Sequence, residues 1–240
     1  MINRDNHGNY LFLLGGLAIL LISYPIFLIR SEIFGVISLH VATSITLILS
    51  VWSLVGKKKS FIFGIVLAGF SILINLVELQ FEHQLLMFTR IAIQFLFFSL
   101  TLWIALGHVM FGDRIDLNRI VGTICIYLLI GIIWSIAYSV VDIIDPGSFR
   151  GLNATAIDEK HSELIYFSFV TLTTLGYGDI APIKPIARTL AYFEAIAGQF
   201  YLAVMVAGLV GAHIARSYTI NTANTDAPRT DSVTNEIKHD

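Results

Sequence analysis

Long apolar runs separated by short polar segments dominate the hydropathy pattern of this chain. A helix that crosses a hydrocarbon core about 30 Å thick needs about 20 apolar residues. Runs of that length, each with at most one or two ionisable groups, occupy residues 10–29, 33–55, 61–80, 85–106, 120–141 and 187–212. Gly, Ser and Thr are scattered through them, which is typical of helices that pack closely in lipid. The pattern predicts an all-α membrane protein with six transmembrane helices.

The connection between the fifth and sixth runs differs from the other loops. Its first part is polar and contains Pro146 and Gly147, and Ser162 is suited to cap a helix over residues 163–173. That helix is too short to span a bilayer, so the segment is predicted to be re-entrant. Irregular backbone at membrane depth is tolerated only where it lines a water-filled path. We therefore expect residues 174–179, which follow the helix, to line such a path.

Composition excludes several classes of function. Charged residues make up 13% of the 240 residues, against about 25% in soluble domains. The net charge of −2 offers no basic surface for nucleic acid. The seven His are scattered, no nucleophile and base share a face, and the single Cys125 lies in an apolar stretch where it is expected in the core. We expect no catalysis, no organic cofactor and no nucleic-acid partner.

The distribution of basic residues predicts the orientation in the membrane. With the amino terminus in the cytoplasm, the inner segments carry most Lys and Arg, including Arg4, Lys57 to Lys59, Arg114 and Arg119, whereas the short outer loops before the fifth run carry Arg30. Both termini are therefore expected to be cytoplasmic, in a cell membrane that is plasma or inner.

A seven-residue motif lies at the end of the predicted short helix. Residues 173–179 read Thr-Thr-Leu-Gly-Tyr-Gly-Asp, which resembles the potassium channel motif T-x-G-Y-G-D. The resemblance covers residues 120–215 well and extends loosely to the six-span plan of voltage-gated-like cation channels. It implies a bacterial-type potassium channel subunit, although Leu175 stands where the family more often has Val. Alone, G-Y-G-D would be an ordinary glycine-rich turn; its place in a re-entrant loop favours the channel interpretation.

The physics of ion dehydration agrees with this resemblance. A ring of backbone carbonyls can replace the hydration oxygens of K⁺, and Gly176 and Gly178 allow the backbone angles that aim such carbonyls at one axis. The resemblance implies that the carbonyls of Thr174, Leu175, Gly176 and Tyr177 coordinate the permeant K⁺, with the Thr174 hydroxyl as an innermost ligand. One chain supplies a quarter of the ring, so we expect a fourfold homotetramer.

Residues around the motif are expected to support the filter. Tyr166, where the family often has Trp, is placed to donate a hydrogen bond to Asp179; alternatively, Asp179 is a solvated acidic rim that attracts cations. Thr173 opens the motif at the end of the short helix, and the partial negative charge of that helix end points toward the cavity.

The last apolar run contains candidate gating residues. By the resemblance, Gly198 is a hinge, and close helix packing explains it equally well. Gln199, Leu202 and Val206 lie on one helical face below it and are expected to line an inner vestibule that closes by dewetting. Glu194 is an intramembrane carboxylate, for which a hydrogen bond behind the filter is the simpler explanation.

The first four runs resemble a degenerate voltage sensor. We assign residues 1–9 to a cytoplasmic amino terminus, 10–106 to this sensor-like domain, 107–119 to a linker, 120–216 to the pore domain and 217–240 to a polar, disordered tail. In a voltage sensor the fourth helix carries an Arg at every third position. In the corresponding row of this chain, which starts at Arg90, Arg90 is the single charged residue. Weak or no voltage gating follows. Glu78 is expected to pair with Arg90 as a fixed structural bridge.

Two other functions compete with potassium selectivity. A nonselective cation channel has the same fold, but relaxed filters often lose the residue that stands here as Tyr177. A secondary transporter would show inverted repeats and paired broken helices, and we find one re-entrant segment. Asn153, in Asn-Ala-Thr, has the form of a glycosylation acceptor. The sequence indicates neither a gating stimulus nor accessory subunits; membrane lipids are the expected surroundings.

Overall fold

The computed structural model describes residues 10–29, 32–53, 58–78, 84–110, 117–154 and 157–225, with some helical side chains, including those of Glu78 and Val206, outside the description. The helices are α1 Tyr10–Ile29, α2 Glu32–Ser53, α3 Lys58–Glu78, α4 Gln84–Met110, α5 Leu117–Ile144, α6 Ile157–Leu172 and α7 Pro185–Thr225. Two short strands, β1 Phe149–Arg150 and β2 Ala181–Pro182, lie between α5 and α7.

A helix covers most of each of the six apolar runs, and the described part of the chain is mostly helical. Among the described residues, Leu85–Met110 and Leu117–Ile144 are long and apolar enough to cross a membrane. The described apolar stretches of the first three helices are shorter, at Tyr10–Ser23, Val41–Val51 and Gly64–Ile74. A membrane protein is therefore supported, and six crossings stay a prediction.

The short helix before the motif is longer than expected. α6 begins at Ile157 rather than at residue 163 and ends at Leu172. Ser162, expected as the cap, lies within the helix and is buried. The acidic residues of the Ile157-Asp-Glu sequence fall in the first turn, where negative charge stabilises a helix amino terminus. The predicted start was therefore wrong by about one and a half turns.

The all-α prediction also misses a small strand pair. β1 and β2 are antiparallel, with Phe149 opposite Pro182 and Arg150 opposite Ala181. The connection leaves α5 and later returns past the motif, so its two ends run side by side and their backbone groups pair. This pair ties the outer loop, residues 145–154, to the segment that follows the motif.

The last helix extends past its predicted end and into the segment that was expected to be a disordered tail. α7 runs to Thr225, past the expected end at 212 and past residue 217, where the tail was expected to begin. No Gly or Pro interrupts the sequence between Gly211 and Pro228, so nothing in it stops the helix there. Residues 202–225 belong to a separate compact unit from residue 201 and those before it. Residues 226–240 lie outside the described residues.

Two hydrophobic clusters hold the first unit together. The larger one joins α1, α2, α4 and α5 through fully buried side chains such as Leu17, Leu47, Phe97 and Leu129, and it includes Cys125, which is a core residue as expected. The smaller one joins Tyr138, Phe149, Leu164, Phe167 and Ile180. Because its members come from α5, β1, α6 and the segment after the motif, this second cluster fixes both ends of the motif.

Candidate ion-conducting site

The motif begins as the carboxyl-terminal cap of α6. The last four carbonyls of a helix lack partners within the helix, and here each has a donor. The pairs are Thr173 N to Phe169 O (3.1 Å), Leu175 N to Val170 O (2.9 Å), Thr174 N to Thr171 O (2.9 Å) and Tyr127 Oη to Leu172 O (3.3 Å). The Thr173 hydroxyl adds a second bond to Phe169 O at 2.7 Å. The start of the motif is thus anchored on the helix that precedes it.

Backbone angles alternate through the filter segment, which we define as residues 174–179. The φ angle is positive at Thr174 (58°), Gly176 (56°) and Gly178 (79°), and it is not positive at Leu175 and Tyr177. In a regular strand successive residues point to opposite sides. An alternating sign of φ departs from this pattern and allows successive carbonyls to turn to the same side of the backbone. Gly176 and Gly178 therefore adopt backbone angles that other residues rarely adopt, as the sequence predicted.

The filter segment is exposed. Tyr177 is 67% exposed and Leu175 is 54% exposed, and residues 173–179 all belong to the exposed class. The segment is therefore not buried against its own chain. Its irregular backbone is incompatible with lipid, which cannot satisfy peptide N–H and C=O groups.

A hydrogen bond joins α6 to the far end of the filter segment. Tyr166 Oη donates to Asp179 Oδ2 at 2.8 Å, which is the bond expected from the sequence. This bond lowers the pKa of Asp179 below its ordinary value and raises the pKa of Tyr166 above its own. Asp179 is also exposed, and its alternative role as a solvated acidic rim stays a prediction.

The outer loop packs closely on the end of the filter segment. A Cβ at Gly151, whose φ is +84°, would lie 1.9 Å from the Asp179 carbonyl oxygen, so only glycine fits. Ile183 N donates to Ser148 O at 2.9 Å and Lys184 forms an ion pair with Asp145. Gly151 was not predicted from the sequence, because a close approach between residues so far apart leaves no local signal.

Two glycines let α5 and α7 approach α6 closely. A Cβ at Gly198 would lie 2.4 Å from the Leu172 carbonyl oxygen, and one at Gly131 would lie 2.8 Å from the Phe169 ring. The contact supports the packing interpretation of Gly198, and a hinge there stays a prediction. Gly131 was not singled out from the sequence, since one glycine in an apolar helix gives no sign of its neighbour.

Glu194 of α7 lies behind the filter segment. Its side chain is fully buried, and its carboxyl oxygens contact the hydroxyls of Tyr138 and Ser168, each at 2.5 Å. The expected hydrogen bond behind the filter is therefore present, with two partners that the sequence did not identify. The contacts connect α7 to both α5 and α6.

The remaining predicted residues are only partly tested. Gln199 Nε2 lies 3.4 Å from Thr174 Oγ1, a long contact that brings the inner helix to the start of the filter segment. Leu202 is exposed, and the Val206 side chain lies outside the description. Arg90 is buried on α4, but the Glu78 side chain is not described. The vestibule and the Glu78–Arg90 pair stay predictions.

Comparison with known proteins identifies the region that contains this site. Residues 98–213, just under half of the chain, match a family model described as an ion channel. A stretch of 95 residues, 38% of the chain, is 34% identical to the inward rectifier potassium channel Kirbac3.1 of Paramagnetospirillum magnetotacticum. The chain spans 28% of the length of that relative. No solved structure gives a significant match.

The matched region coincides with the geometry described above. It starts in α4 and includes α5, α6, the filter segment and the first part of α7. The family match and the relative together confirm the resemblance that the motif at residues 173–179 carries. Residues 98–213 are therefore similar to an ion channel domain, and this similarity supports the resemblance to the potassium channel superfamily.

Proposed function

We propose that this chain is one subunit of a homotetrameric channel that conducts K⁺ passively and selectively through the filter segment. The single observation that carries the proposal is the alternation of positive φ at Thr174, Gly176 and Gly178. It supports a row of carbonyls on one side of the backbone, from Thr174 to Tyr177, that replaces the hydration shell of the ion. K⁺ is the permeant substrate and no resident cofactor is proposed.

The exposure of the filter segment supports the tetramer. An irregular, exposed backbone in a membrane domain must face water or protein, and one chain supplies too few oxygens to surround a cation. Four chains around a closed cyclic axis would place the four filter segments opposite one another. Tyr177 and Leu175 would then find their neighbours on the adjacent chains or beside the filter.

The supports of the filter segment favour selectivity over nonselective conduction. The Tyr166–Asp179 bond and the α6 cap hold its two ends, and Gly151 packs on the carbonyl of Asp179. A filter held at this many points keeps its carbonyl spacing when a smaller ion enters, whereas a relaxed filter would adapt. Tyr177 is retained in this chain.

The other parts of the chain take subsidiary roles in this proposal. Both termini are cytoplasmic, α1 to α4 form a sensor-like domain with weak or no voltage response, and the gate lies along α7 near Gln199, Leu202 and Val206. The conduction path crosses the cell membrane, and the chain performs no catalysis.

Flux from liposomes tests the proposal. The purified full chain, reconstituted alone, should release K⁺ with barium block as the control, and native mass spectrometry should give four chains. Reversal potentials in mixed K⁺ and Na⁺ separate selective from nonselective conduction. Absence of barium-sensitive flux, or a species other than a tetramer, contradicts the proposal; equal permeability to both ions favours the nonselective alternative.

A further inference from the structure

The Glu194 carboxyl occupies a closed junction of three helices. It is fully buried, with Oε2 2.5 Å from the Tyr138 hydroxyl of α5 and Oε1 2.5 Å from the Ser168 hydroxyl of α6. The same Ser168 oxygen lies 2.7 Å from the Gly131 carbonyl of α5. Four groups are thus joined by three short oxygen–oxygen contacts.

A count of hydrogens indicates the charge of this junction. Each short contact between oxygens needs one hydrogen, because two lone pairs facing each other at such a distance repel. The Gly131 carbonyl is an acceptor only, and the Tyr138 and Ser168 hydroxyls bring one hydrogen each. Three contacts therefore need a third hydrogen, and the Glu194 carboxyl is the group that can supply it.

Ser168 fixes where that hydrogen lies. In the contact between Ser168 and the Gly131 carbonyl only the Ser168 hydroxyl can donate, and this uses its single hydrogen. The Glu194 Oε1 must then donate to Ser168, while Oε2 accepts from Tyr138. The direction of the chain is from Tyr138 to Glu194, from Glu194 to Ser168 and from Ser168 to Gly131.

The surroundings of Glu194 agree with a neutral group. Among the residues that the structure describes, no Lys, Arg or His forms an ion pair with this carboxyl. The titratable side chains that act on it are Tyr138, in contact, and Tyr127, farther along α5; α6 offers the Ser168 hydroxyl. An ionised carboxylate buried without a cation is costly, so such a group takes up a proton instead.

We propose that Glu194 is a positioning residue that acts as a neutral carboxylic acid, its proton completing the bridge that seats the filter-bearing helix α6 against α5 and α7. Ionisation removes that proton, leaves the Ser168–Gly131 or the Ser168–Glu194 contact without a hydrogen, and loosens the helix that ends at Leu172. The effect on conduction rests on the proposed function, whereas the protonation state itself does not.

Infrared spectroscopy of the full chain in lipid tests the protonation state directly. At neutral pH the wild type should show the carbonyl stretch of a buried, protonated carboxylic acid, and Glu194→Gln should lose it. Ser168→Ala should shift the band, because it removes the partner of the acid hydrogen. Glu163→Gln is the matched control: Glu163 accepts a backbone N–H of Asn153 at 3.0 Å near the surface, and its loss should leave the band unchanged. A wild type without the band, or a band that survives in Glu194→Gln, overturns the proposal.

The pH dependence of flux tests the positioning role. Gln reproduces the neutral acid, since its N–H₂ donates to Ser168 and its carbonyl accepts from Tyr138 at any pH. Barium-sensitive flux of the wild type should decline toward alkaline pH, and that of Glu194→Gln should start near the wild-type level and stay level. Parallel decline in both, or loss of flux in Glu194→Gln at neutral pH while the variant remains assembled, contradicts this role. If the wild type conducts nothing, the proposed function fails and the infrared result still decides the protonation state.

Discussion

Single residues of the filter segment are used for their backbone angles. Gly176 and Gly178 have positive φ and would have open space around a Cβ within the chain, so steric contact inside the chain does not explain them. The left-handed region costs other residues about 1–2 kcal/mol each. Thr174 adopts it without being glycine, which is the kind of local strain that concentrates at functional sites. This much of the site followed from the sequence, because the motif is local.

Gly176→Ala isolates that backbone effect. We expect loss of K⁺ flux and a loss of stability of about 1–2 kcal/mol per chain, since within the chain the added methyl meets no atom and φ becomes unfavourable. Liposome flux and thermal unfolding measure the two effects. Gly69→Ala is the control, because that glycine is helical, away from the filter and also in open space. Equal flux in the two variants would show that the Gly176 angle does not matter.

Gly151 has both a positive φ and a close contact, whereas Gly147 has a positive φ alone. Comparing the two glycines therefore separates the effect of the backbone angle from that of the contact. Both have positive φ, but a Cβ at Gly147 would meet nothing, whereas one at Gly151 would meet the Asp179 carbonyl oxygen. We expect Gly147→Ala to cost about 1–2 kcal/mol and Gly151→Ala to cost clearly more and to reduce flux. Thermal unfolding compares them. Similar melting temperatures would mean that the outer loop moves away from the filter easily.

Tyr166→Phe tests the bond at the far end of the filter. Without the Tyr166 hydroxyl, the pKa of Asp179 should rise toward its ordinary value, which carboxyl carbon shifts in a pH titration can follow. A carboxyl with a lowered pKa in the folded protein stabilises it above the pKa of the unfolded chain, and this stabilisation is lost as pH falls through the lowered value. As the pH falls, the wild type should therefore keep the folded filter segment to a lower pH than Tyr166→Phe does. An unchanged pKa in the variant would assign Asp179 to the solvated rim alone.

At the scale of elements, the apolar runs predicted the positions of the helices more accurately than their ends. α1 begins and ends as expected, because its limits coincide with those of an apolar run, but α6 and α7 extend into polar sequence that hydropathy assigns to loops. The helix junctions behind the filter were not predictable either. Gly131, Gly198, Ser168 and Tyr138 meet only after α5, α6 and α7 have packed, and their sequence separation hides this.

Gly198→Ala distinguishes packing from hinge motion in α7. If packing explains this glycine, the new methyl pushes on the Leu172 backbone, and an overpacked junction loses about 1–3 kcal/mol. Alanine favours the helix by about 1 kcal/mol over glycine, so a pure hinge would gain stability and change only channel opening. Gly208→Ala and Gly211→Ala, where a Cβ meets nothing, are the controls. A stabilised Gly198→Ala with altered opening would support the hinge.

For the whole molecule, the charge on α4 limits what the sensor-like domain can do. Moving one charge through 100 mV is worth about 2.3 kcal/mol, so four copies of Arg90 provide at most about 9 kcal/mol, whereas steep gating uses tens. Conduction should therefore vary only shallowly with voltage in planar bilayers.

Because Arg90 is buried and is expected to hold a structural bridge with Glu78, Arg90→Gln should lower expression or tetramer yield. Lys58→Gln, at the start of α3, removes a charge elsewhere and should leave the yield unchanged. Normal expression of Arg90→Gln with a clean shift of the activation midpoint would instead make Arg90 a moving gating charge.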